Sequence, residues 1–312
     1  MAAPSSELGL QKQEHLVAGG PWRSVVRDYV QLTKPVIVAL LLVTTLAGMI
    51  VGYGGWPGGT LVGLTLLAGA LTAGGASALN QYIDRERDGA MQRTRNRPLP
   101  SGRLTPLPVL RFGVALSLVG LLIYALAVNL LSAGLALLGL LYYVVLYSLI
   151  LKNSTWQNII VGGGAGAIPP MVGWAAATGS LSVGALFLFA IVFFWTPPHF
   201  WALAMLRTRD YARAGVPMLP VVYGEGETRW QILMYTVQLV ALTLLLPLAG
   251  IGGGGVYLAA AAALGAGLGI YAWRLWRIGG NRSAYQMYRF SSMYLALIFA
   301  ALVIDTLLLS AA

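Results

Sequence analysis

Residues 61–102 read LVGLTLLAGALTAGGASALNQYIDRERDGAMQRTRNRPLPSG, an apolar run that passes directly into the densest cluster of charge in the chain. The apolar part is long enough to cross the hydrocarbon core of a bilayer, roughly 30 Å thick, as a helix. Similar runs recur along a chain that is 58% hydrophobic and 10% charged, with a mean hydropathy of +0.74. The composition therefore predicts an all-α integral membrane protein.

The apolar runs predict nine transmembrane helices joined by short connections. Because cytoplasmic loops collect Lys and Arg, the positions of these residues test that number. All 20 Lys and Arg residues lie on one predicted side of the membrane. Each of them either precedes the first span or lies in or next to a loop that follows an even-numbered span. This alternation predicts a cytoplasmic N-terminus and a C-terminus on the outside. The predicted spans are 36–54, 61–83, 107–127, 129–150, 156–177, 182–206, 230–250, 255–276 and 288–309.

The predicted organisation is a cytoplasmic N-terminal tail over residues 1–31, followed by one nine-helix domain over residues 32–312. The first twenty residues lack the apolar core of a signal peptide. Membrane topology accounts for the net charge of +10, so no nucleic-acid partner is predicted. The absence of cysteine excludes thiolate metal sites and cysteine nucleophiles.

Asn80, Asp84 and Asp88 recur every four residues at the end of the second predicted span. At about 100° per residue this spacing drifts by only about 40° per step, so the three side chains share one helical face. Two carboxylates and an amide suit a hard cation such as Mg²⁺, which is often held together with the phosphate oxygens of a substrate. The alternative is that these acids balance neighbouring arginines on a solvated helix end.

Basic residues follow the acids closely. Arg93, Arg95 and Arg97 lie in the same loop, and Arg97 precedes the rigid sequence Pro98-Leu99-Pro100. Guanidinium groups beside a carboxylate-held metal form a site suited to a diphosphate. The loop after span two therefore predicts a metal-diphosphate site.

Two further cytoplasmic loops carry related side chains. In residues 207–220, RTRDYARAGVPMLP, Asp210 stands among arginines, with Arg209 directly before it. The loop after span four contains one cation, Lys152. It is preceded by Tyr147 and followed by Thr155 and Asn158, whose hydroxyl and amide groups can donate to phosphate oxygens.

Prolines interrupt two predicted spans. Residues 195–204, WTPPHFWALA, place two prolines and His199 inside span six, and Pro169 and Pro170 lie inside span five. Proline frees helix carbonyls, which at membrane depth is tolerated where neighbouring groups or a cavity satisfy them, so we predict an interior cavity. His199 either serves a substrate, by approaching the iron of a haem or orienting a polar group, or is a neutral imidazole hydrogen-bonded to a freed carbonyl.

Other unusual residues receive structural interpretations. The small residues 162–167, GGGAGA, are interpreted as helix packing rather than as a phosphate-binding loop. Tyr142 and Tyr143 are interpreted as anchors at the membrane interface. Asp305, near the end of the last span, is assigned no role.

The Asn-x-x-x-Asp-x-x-x-Asp run resembles the first signature of the UbiA-type intramembrane prenyltransferases. The stretches DGAMQRTRNRPLPSG, NIIVGGGAGAIPPMVGW, WTPPHFWALA and DYARAGVPMLPVV are similar to the protohaem IX farnesyltransferase branch of that family. The resemblance runs from about Leu32 to the last helix. It implies nine helices around a central cavity, in the cytoplasmic (inner) membrane of a prokaryote, with the mouth of the active site facing the cytoplasm.

The same resemblance implies transfer of the farnesyl group of farnesyl diphosphate to a vinyl group of haem b, with addition of water, to give haem O. Haem b is then a substrate, and one or two Mg²⁺ ions are the cofactor. The implied partners are the lipid bilayer and, for the product, haem A synthase or oxidase assembly proteins. The implied catalytic and metal-binding acids are Asp84, Asp88 and Asp210, with Asn80 as a further ligand. Arg97 and Lys152 are implied to contact the diphosphate.

The number of Mg²⁺ ions and three alternative functions are considered. The second family motif commonly has two aspartates four residues apart, whereas Leu206 stands four residues before Asp210, which leaves the number of Mg²⁺ ions undecided. A prenyltransferase with another aromatic or tetrapyrrole acceptor is the nearest alternative. A secondary transporter would place its charged residues at the bilayer midplane, whereas here the acids cluster at one face. A non-enzymatic assembly factor is the third alternative.

Overall fold

The computed structural model describes residues 21–92 and 94–311. Within these ranges the chain is helical without β-strands, and nine helices are long and apolar enough to cross a membrane. The predicted fold class and number of spans are therefore confirmed. The first twenty residues of the predicted tail and the predicted site residue Arg93 lie outside the described residues.

A short helix, α1 (Pro21–Leu32), precedes the first span. The nine spans are α2 (Pro35–Tyr53), α3 (Gly59–Ala90), α4 (Pro106–Val128), α5 (Leu130–Leu151), α6 (Asn158–Thr178), α7 (Val183–Met205), α10 (Gly224–Ala249), α11 (Gly255–Ile278) and α12 (Gly280–Ala311). Two short helices, α8 (Thr208–Arg213) and α9 (Leu219–Val222), connect α7 to α10.

Two spans are longer than their apolar sequence predicts. Helix α3 continues to Ala90 rather than ending at residue 83, and α12 begins at Gly280 rather than at residue 288, so that each contains 32 residues. Charged residues lower the local hydropathy, but they do not break a helix, and no proline interrupts either extension. The stripe of Asn80, Asp84 and Asp88 consequently lies on one continuous helix.

The spans form a closed ring. Each span packs against the next in chain order, with α7 packing against α10, and α12 returns to α2. Helices α2 and α6 also pack directly against each other. This contact is close, because a Cβ atom on Gly48 or Gly173 would collide with the backbone carbonyl of Pro170 or Thr45, respectively. Glycine is therefore required at both positions.

The small residues at the start of α6 serve packing, as predicted. Gly162 lies against the ring of Tyr147, Gly163 against the side chain of Thr196, and Gly164 against Tyr142. Tyr142 also donates a 2.7 Å hydrogen bond from its hydroxyl to the carbonyl of Val161 on α6. Tyr142 therefore fixes α5 to α6, which the interfacial-anchor interpretation did not include.

The arginine-rich connections lie at one end of the bundle. Arg103, after α3, pairs with Asp28 of α1 at 3.0 Å. Trp156, between α5 and α6, contacts Tyr223, between α9 and α10, with ring centroids 5.4 Å apart. These contacts agree with the alternation of basic loops that the sequence predicts.

The opposite end of the bundle is held together by Asp305 of α12. Its carboxylate oxygens accept hydrogen bonds from the backbone N–H groups of Gly254 at 2.9 Å and Tyr257 at 3.2 Å. A carboxylate at this position satisfies free N–H groups in the first turn of α11 and complements the helix dipole. Asp305, which was assigned no role from the sequence, therefore caps a neighbouring helix.

Candidate functional site

Asn80, Asp84 and Asp88 are all buried on α3, with exposed fractions of 4%, 1% and 4%. Burial of two carboxylates is costly unless cations or hydrogen-bond donors compensate. The arrangement therefore differs from the alternative of acids on a solvated helix end. Both carboxylates are compensated by cations from other segments of the chain.

Asp84 lies at the centre of this network. Its Oδ2 atom accepts hydrogen bonds from Nζ of Lys152 at 2.5 Å and from Nδ2 of Asn80 at 2.9 Å. Its Oδ1 atom is buried and has no hydrogen-bond partner among the described residues. A buried carboxylate oxygen without a partner is unusual and marks a position where a cation or a water can bind.

Asp88, one turn further along α3, pairs with Arg97 at an Oδ2–Nη1 distance of 2.5 Å. The loop that carries Arg97 is folded by successive turns, in which the N–H of Arg97 donates to the carbonyl of Thr94 at 2.9 Å. The hydroxyl of Thr94 in turn donates to the backbone carbonyl of Asp88 at 2.9 Å. The loop is thus tied to the helix, and the predicted pairing of acid and arginine is present.

Lys34 belongs to the same network, although the sequence analysis used it only as a topological charge. It lies between α1 and α2 with a φ of 52°, a left-handed conformation that non-glycine residues adopt uncommonly. Its Nζ donates to Oδ1 of Asn80 at 2.8 Å and lies 3.4 Å from the hydroxyl of Tyr143. The available sequence signal was a lysine directly before Pro35, the proline that starts the first span.

Two residues of α5 complete the surroundings of Asn80. The hydroxyl of Ser148 accepts a hydrogen bond from Nδ2 of Asn80 at 2.9 Å. Tyr143 contacts Lys34 and stacks on Tyr147, with ring centroids 5.8 Å apart and an interplanar angle of 15°. Tyr143 is therefore part of the polar site, in addition to any role near the membrane interface.

Lys152 reaches the site from the end of α5. The last ten residues of that helix, Tyr142–Leu151, are π-helical, and the N–H of Lys152 donates to the carbonyl of Tyr147 at 2.9 Å. Asn158, at the start of α6, donates from Nδ2 to the carbonyl of Lys152 at 3.1 Å. The hydroxyl of Thr155 accepts from the N–H of Gln157 at 3.2 Å. The predicted loop residues are therefore close together, but the amide donor of Asn158 is already engaged.

Asp210 and Arg209 occupy a different position, on the short helix α8. Asp210 is half-buried and lies 4.0 Å from Nη1 of Arg207, while Arg209 is exposed. Within residues 21–92 and 94–311, no three His, Asp or Glu side chains are close enough to hold one metal ion together. Asp210 is therefore not clustered with Asp84 and Asp88 in this structure.

His199 lies deeper in the bundle and is 8% exposed. Its Nδ1 atom is 2.9 Å from the hydroxyl of Ser291 on α12, so its partner is a hydroxyl group rather than a carbonyl freed by proline. The imidazole stacks on Trp195 at 4.3 Å and lies 4.7 Å from the ring of Tyr288. The ring is therefore held in one orientation by α7 and α12.

Comparison with known proteins agrees with this architecture. Residues 41–298 match the UbiA prenyltransferase family. The chain belongs to the UbiA prenyltransferase family. The buried stripe of Asn80, Asp84 and Asp88 lies within the matched residues.

Several similar relatives of this UbiA-family chain are named protohaem IX farnesyltransferase. The relative from Chloroflexus aurantiacus is 51% identical over 92% of the chain, and the relative from Roseiflexus castenholzii is 50% identical over 93%. The chain spans about half the length of these two proteins, 49% and 54%. The relative from Alkalilimnicola ehrlichii is 50% identical, with 92% of the chain and 95% of the relative covered.

Solved structures share the UbiA fold at low sequence identity. A structure of digeranylgeranylglyceryl phosphate synthase is 17% identical, with a TM-score of 0.77 over 90% of this chain and 98% of that one. A UbiA homologue from Archaeoglobus fulgidus, bound to DMAPP and Mg²⁺, is 17% identical, with a TM-score of 0.65 over 88% and 99% of the two chains. These similarities establish the fold.

Proposed function

We propose that this UbiA-family protein transfers the farnesyl group of farnesyl diphosphate to a vinyl group of haem b, with addition of water, giving haem O and diphosphate. The main support is the identity of 50% to a protohaem IX farnesyltransferase of which the chain covers 95%. The buried acids and cations of the site suit the diphosphate half of this reaction. The product would serve haem biosynthesis for terminal oxidases.

The oxygen donors of the site fit Mg²⁺. Oδ1 of Asp84 is buried without a partner, and the carboxylate of Asp88 lies one helical turn away. Hard oxygen ligands of this kind, together with phosphate oxygens, match the preferences of Mg²⁺. A related protein from Archaeoglobus fulgidus binds DMAPP and Mg²⁺. When bound, Mg²⁺ would supply positive charge that neutralises the departing diphosphate. We propose one or two ions, with Asp84 and Asp88 as ligands and Asn80 as a further ligand.

The basic side chains have two roles in this proposal. Without substrate, Lys152 and Arg97 neutralise Asp84 and Asp88. When the diphosphate binds, these cations turn toward its oxygens, because a charge-assisted hydrogen bond to phosphate replaces the one to the carboxylate. Lys34 is close enough to Asn80 to join them.

The second acidic segment is proposed to approach the diphosphate from α8. Asp210 is half-buried on a six-residue helix, so movement of a short connection can bring it toward α3. Arg209 and Arg93 are proposed as additional phosphate contacts. Tyr147 and Thr155 are proposed to line the same region, beside Lys152.

The proposed chemistry forms one carbon–carbon bond and one carbon–oxygen bond, and it breaks the carbon–oxygen bond of farnesyl diphosphate and one O–H bond of water. The terminal vinyl carbon of haem b bonds to the first carbon of the farnesyl group as the diphosphate leaves. The resulting cation beside the pyrrole is captured by water, which releases a proton. The protein needs no side-chain nucleophile; its cations stabilise the leaving group, and its apolar helices exclude water from the allylic cation.

His199 is proposed to contact the haem. Its ring is fixed by Trp195, Tyr288 and Ser291, and a histidine held through one nitrogen is suited to present the other to a metal. The two proposed roles are coordination of the haem iron and orientation of a polar group. The alternative is that His199 only joins α7 to α12.

The orientation of the protein in the membrane follows from its charge. Because the basic connections lie at one end of the bundle, we place this end, and the mouth of the site, on the cytoplasmic side of a prokaryotic inner membrane. Haem A synthase or oxidase assembly proteins are proposed to receive the product.

The proposal is tested by incubating the purified protein with haem b, farnesyl diphosphate and Mg²⁺ and analysing the porphyrins by mass spectrometry. The expected product has the mass of haem b plus one farnesyl group and one hydroxyl group, because the water that is added loses a proton. Parallel reactions with a quinone precursor and with a chlorophyll-type tetrapyrrole test the alternative acceptors. Prenylation of one of these, with haem b unmodified, would overturn the choice of haem. Geranylgeranyl diphosphate tests chain-length selection in the same assay.

A further inference from the structure

A shallow, largely open groove lies at the bend between α1 and α2. Its lining combines the polar side chains of Arg27, Gln31 and Lys34 with the apolar side chains of Val30 and residues 35–37. No acidic residue of the described chain lines it. The groove therefore presents positive charge beside apolar surface, a combination that suits an anionic amphiphile.

The charge of Arg27 is not neutralised within its helix. Asp28, its neighbour in sequence, is 4% exposed and pairs with Arg103, whose Nη2 atom also lies 3.5 Å from Oε1 of Gln31. The apolar part of the groove is open, since Val36 is 75% exposed and Ile37 is 52% exposed at the start of the first span. These two residues continue into the outward face of α2, which would contact lipid chains.

Helix α1 itself has the character of a helix at a membrane surface. Trp22, Val26 and Val30, which lie on one side of the helix, are each more than half exposed. The helix is held to the bundle by Asp28 and by Tyr29, whose ring is 4.9 Å from that of Phe112. An apolar face with basic residues beside it is typical of helices that lie in the plane of the lipid headgroups.

We propose that this groove binds one anionic phospholipid, with the phosphate against Arg27 and Gln31 and an acyl chain along Val36 and Ile37. Lys34 lines the groove and also donates to Asn80. The lipid is therefore adjacent to a residue of the polar site and supports its position. This proposal does not depend on which acceptor the enzyme uses.

The experiment compares lipid binding by native mass spectrometry in nanodiscs of phosphatidylglycerol and of phosphatidylcholine. One basic residue near a membrane surface contributes about fivefold in lipid affinity, so Arg27→Gln is expected to weaken retention of phosphatidylglycerol by about fivefold. Arg23→Gln is the matched control, because Arg23 is exposed on the same helix and does not line the groove. Its retention is expected to stay within about twofold of the unmodified protein.

Three results would overturn the proposal. Equal retention of phosphatidylcholine would show that the headgroup charge is irrelevant. Equal losses in the Arg23 and Arg27 variants would indicate a general basic surface. Displacement of phosphatidylglycerol by added farnesyl diphosphate would make the groove a substrate site.

A different observation concerns Asn158. This residue is fully buried, and its side chain was predicted to bind phosphate, yet its Nδ2 donates to the carbonyl of Lys152 at 3.1 Å. The N–H of Lys152 donates to the carbonyl of Tyr147. The peptide groups on both sides of Lys152 are thus held, one by the π-helical end of α5 and one by the start of α6.

We infer that Asn158 is a positioning residue, which directs the Lys152 ammonium group to Asp84 and, under the proposed function, to the diphosphate. A long lysine side chain loses substantial conformational freedom when it is held in one place. Fixing its backbone lowers the remaining cost of placing the ammonium group. Asn158 therefore acts through Lys152 without contacting substrate.

A double-mutant cycle tests this inference in the farnesyl transfer assay. Loss of one orienting hydrogen bond is expected to reduce kcat/KM of Asn158→Ala by about fivefold to tenfold, mainly through KM for farnesyl diphosphate. In the Lys152→Met background the same substitution is expected to have no further effect, because its target is absent. Asn158→Gln, which retains an amide donor, is expected to recover part of the loss.

Asn153→Ala is the control, since Asn153 lies in the same connection and is not part of this contact. Additive effects of the Asn158 and Lys152 substitutions would overturn the inference, as would an equal loss in Asn153→Ala. Inactivity of the unmodified protein would instead contradict the proposed function. The two failures are therefore distinguishable.

Discussion

The substitution Asp84→Asn tests the site most sharply, because it changes charge with little change in size. The carboxylate is 1% exposed, accepts hydrogen bonds from Lys152 and Asn80, and retains one oxygen without a partner. Asparagine keeps the shape and removes the negative charge. We expect the variant to insert and fold but to lose turnover.

Coulomb's law gives the magnitude. A pair of unit charges about 4 Å apart is worth about 4 kcal/mol at an effective dielectric constant of about 20. Because about 1.4 kcal/mol corresponds to a factor of ten, loss of this attraction to a bound cation predicts a decrease of about a thousandfold in kcat/KM. Stability should fall by about 3 kcal/mol, since the partly buried Lys152 loses its partner.

The assay measures haem O formation per folded protein, with thermal unfolding in detergent as the measure of stability. Asp305→Asn is the matched control, because Asp305 is 2% exposed but lies at the opposite end of the bundle. It should lose about 1–2 kcal/mol of stability and retain its turnover. The double variant Asp84→Asn with Lys152→Met should recover stability and stay inactive. Turnover of Asp84→Asn within tenfold of the unmodified protein would refute the metal and diphosphate assignment.

Four further outcomes are expected. Removal of Mg²⁺ by a chelator should abolish tight binding of a fluorescent farnesyl diphosphate analogue, and added Mg²⁺ should restore that binding. Undiminished binding in the presence of the chelator would exclude a diphosphate held by a metal. Arg97→Gln should raise KM for farnesyl diphosphate by about tenfold, because a charge-assisted hydrogen bond is lost, and an unchanged KM would remove Arg97 from the substrate contacts. His199→Ala should weaken haem b binding by about tenfold and alter the Soret band if the imidazole contacts haem; an unchanged spectrum and rate would leave only its helix-joining role. Gly173→Ala should lower the free energy of unfolding by about 1–3 kcal/mol, because its Cβ would meet the carbonyl of Thr45. Gly166→Ala is the control, because there is open space at that position; it should leave the thermal midpoint unchanged or raise it.

The sequence predicts the spans because hydropathy is a local property of each helix. It does not predict the true ends of α3 and α12, since charged turns continue both helices beyond the apolar segment. Capping of α11 by Asp305 was also not predictable. That contact joins residues 51 positions apart and depends on how α12 packs against α11.

The same distinction applies to the site. The stripe of Asn80, Asp84 and Asp88 follows from helix geometry alone, and their burial agrees with a specialised role. The partners of the stripe do not follow from local pattern. Lys34 is 46 positions from Asn80, and Ser148 is 68 positions from it, so only packing of α2 and α5 against α3 brings them together.

Asp210 illustrates the remaining difference between sequence and structure. Its motif predicts that it joins the acids of α3, but in the part of the chain that the structure describes these three carboxylates do not form one cluster. The acids of α3 belong to one rigid helix, whereas Asp210 lies on a short connecting helix. Its position relative to the diphosphate therefore depends on that connection, which sequence pattern does not specify.

The proposed function requires that the buried acids of α3 hold a Mg²⁺–diphosphate group at the arginine-rich end of the bundle. A structure of the protein with Mg²⁺ and a non-reactive farnesyl diphosphate analogue tests it most directly. We expect a metal about 2.0–2.1 Å from a carboxylate oxygen of Asp84, with Nζ of Lys152 moved from Asp84 to the diphosphate. A diphosphate bound elsewhere, with the pair of Lys152 and Asp84 intact, would contradict it.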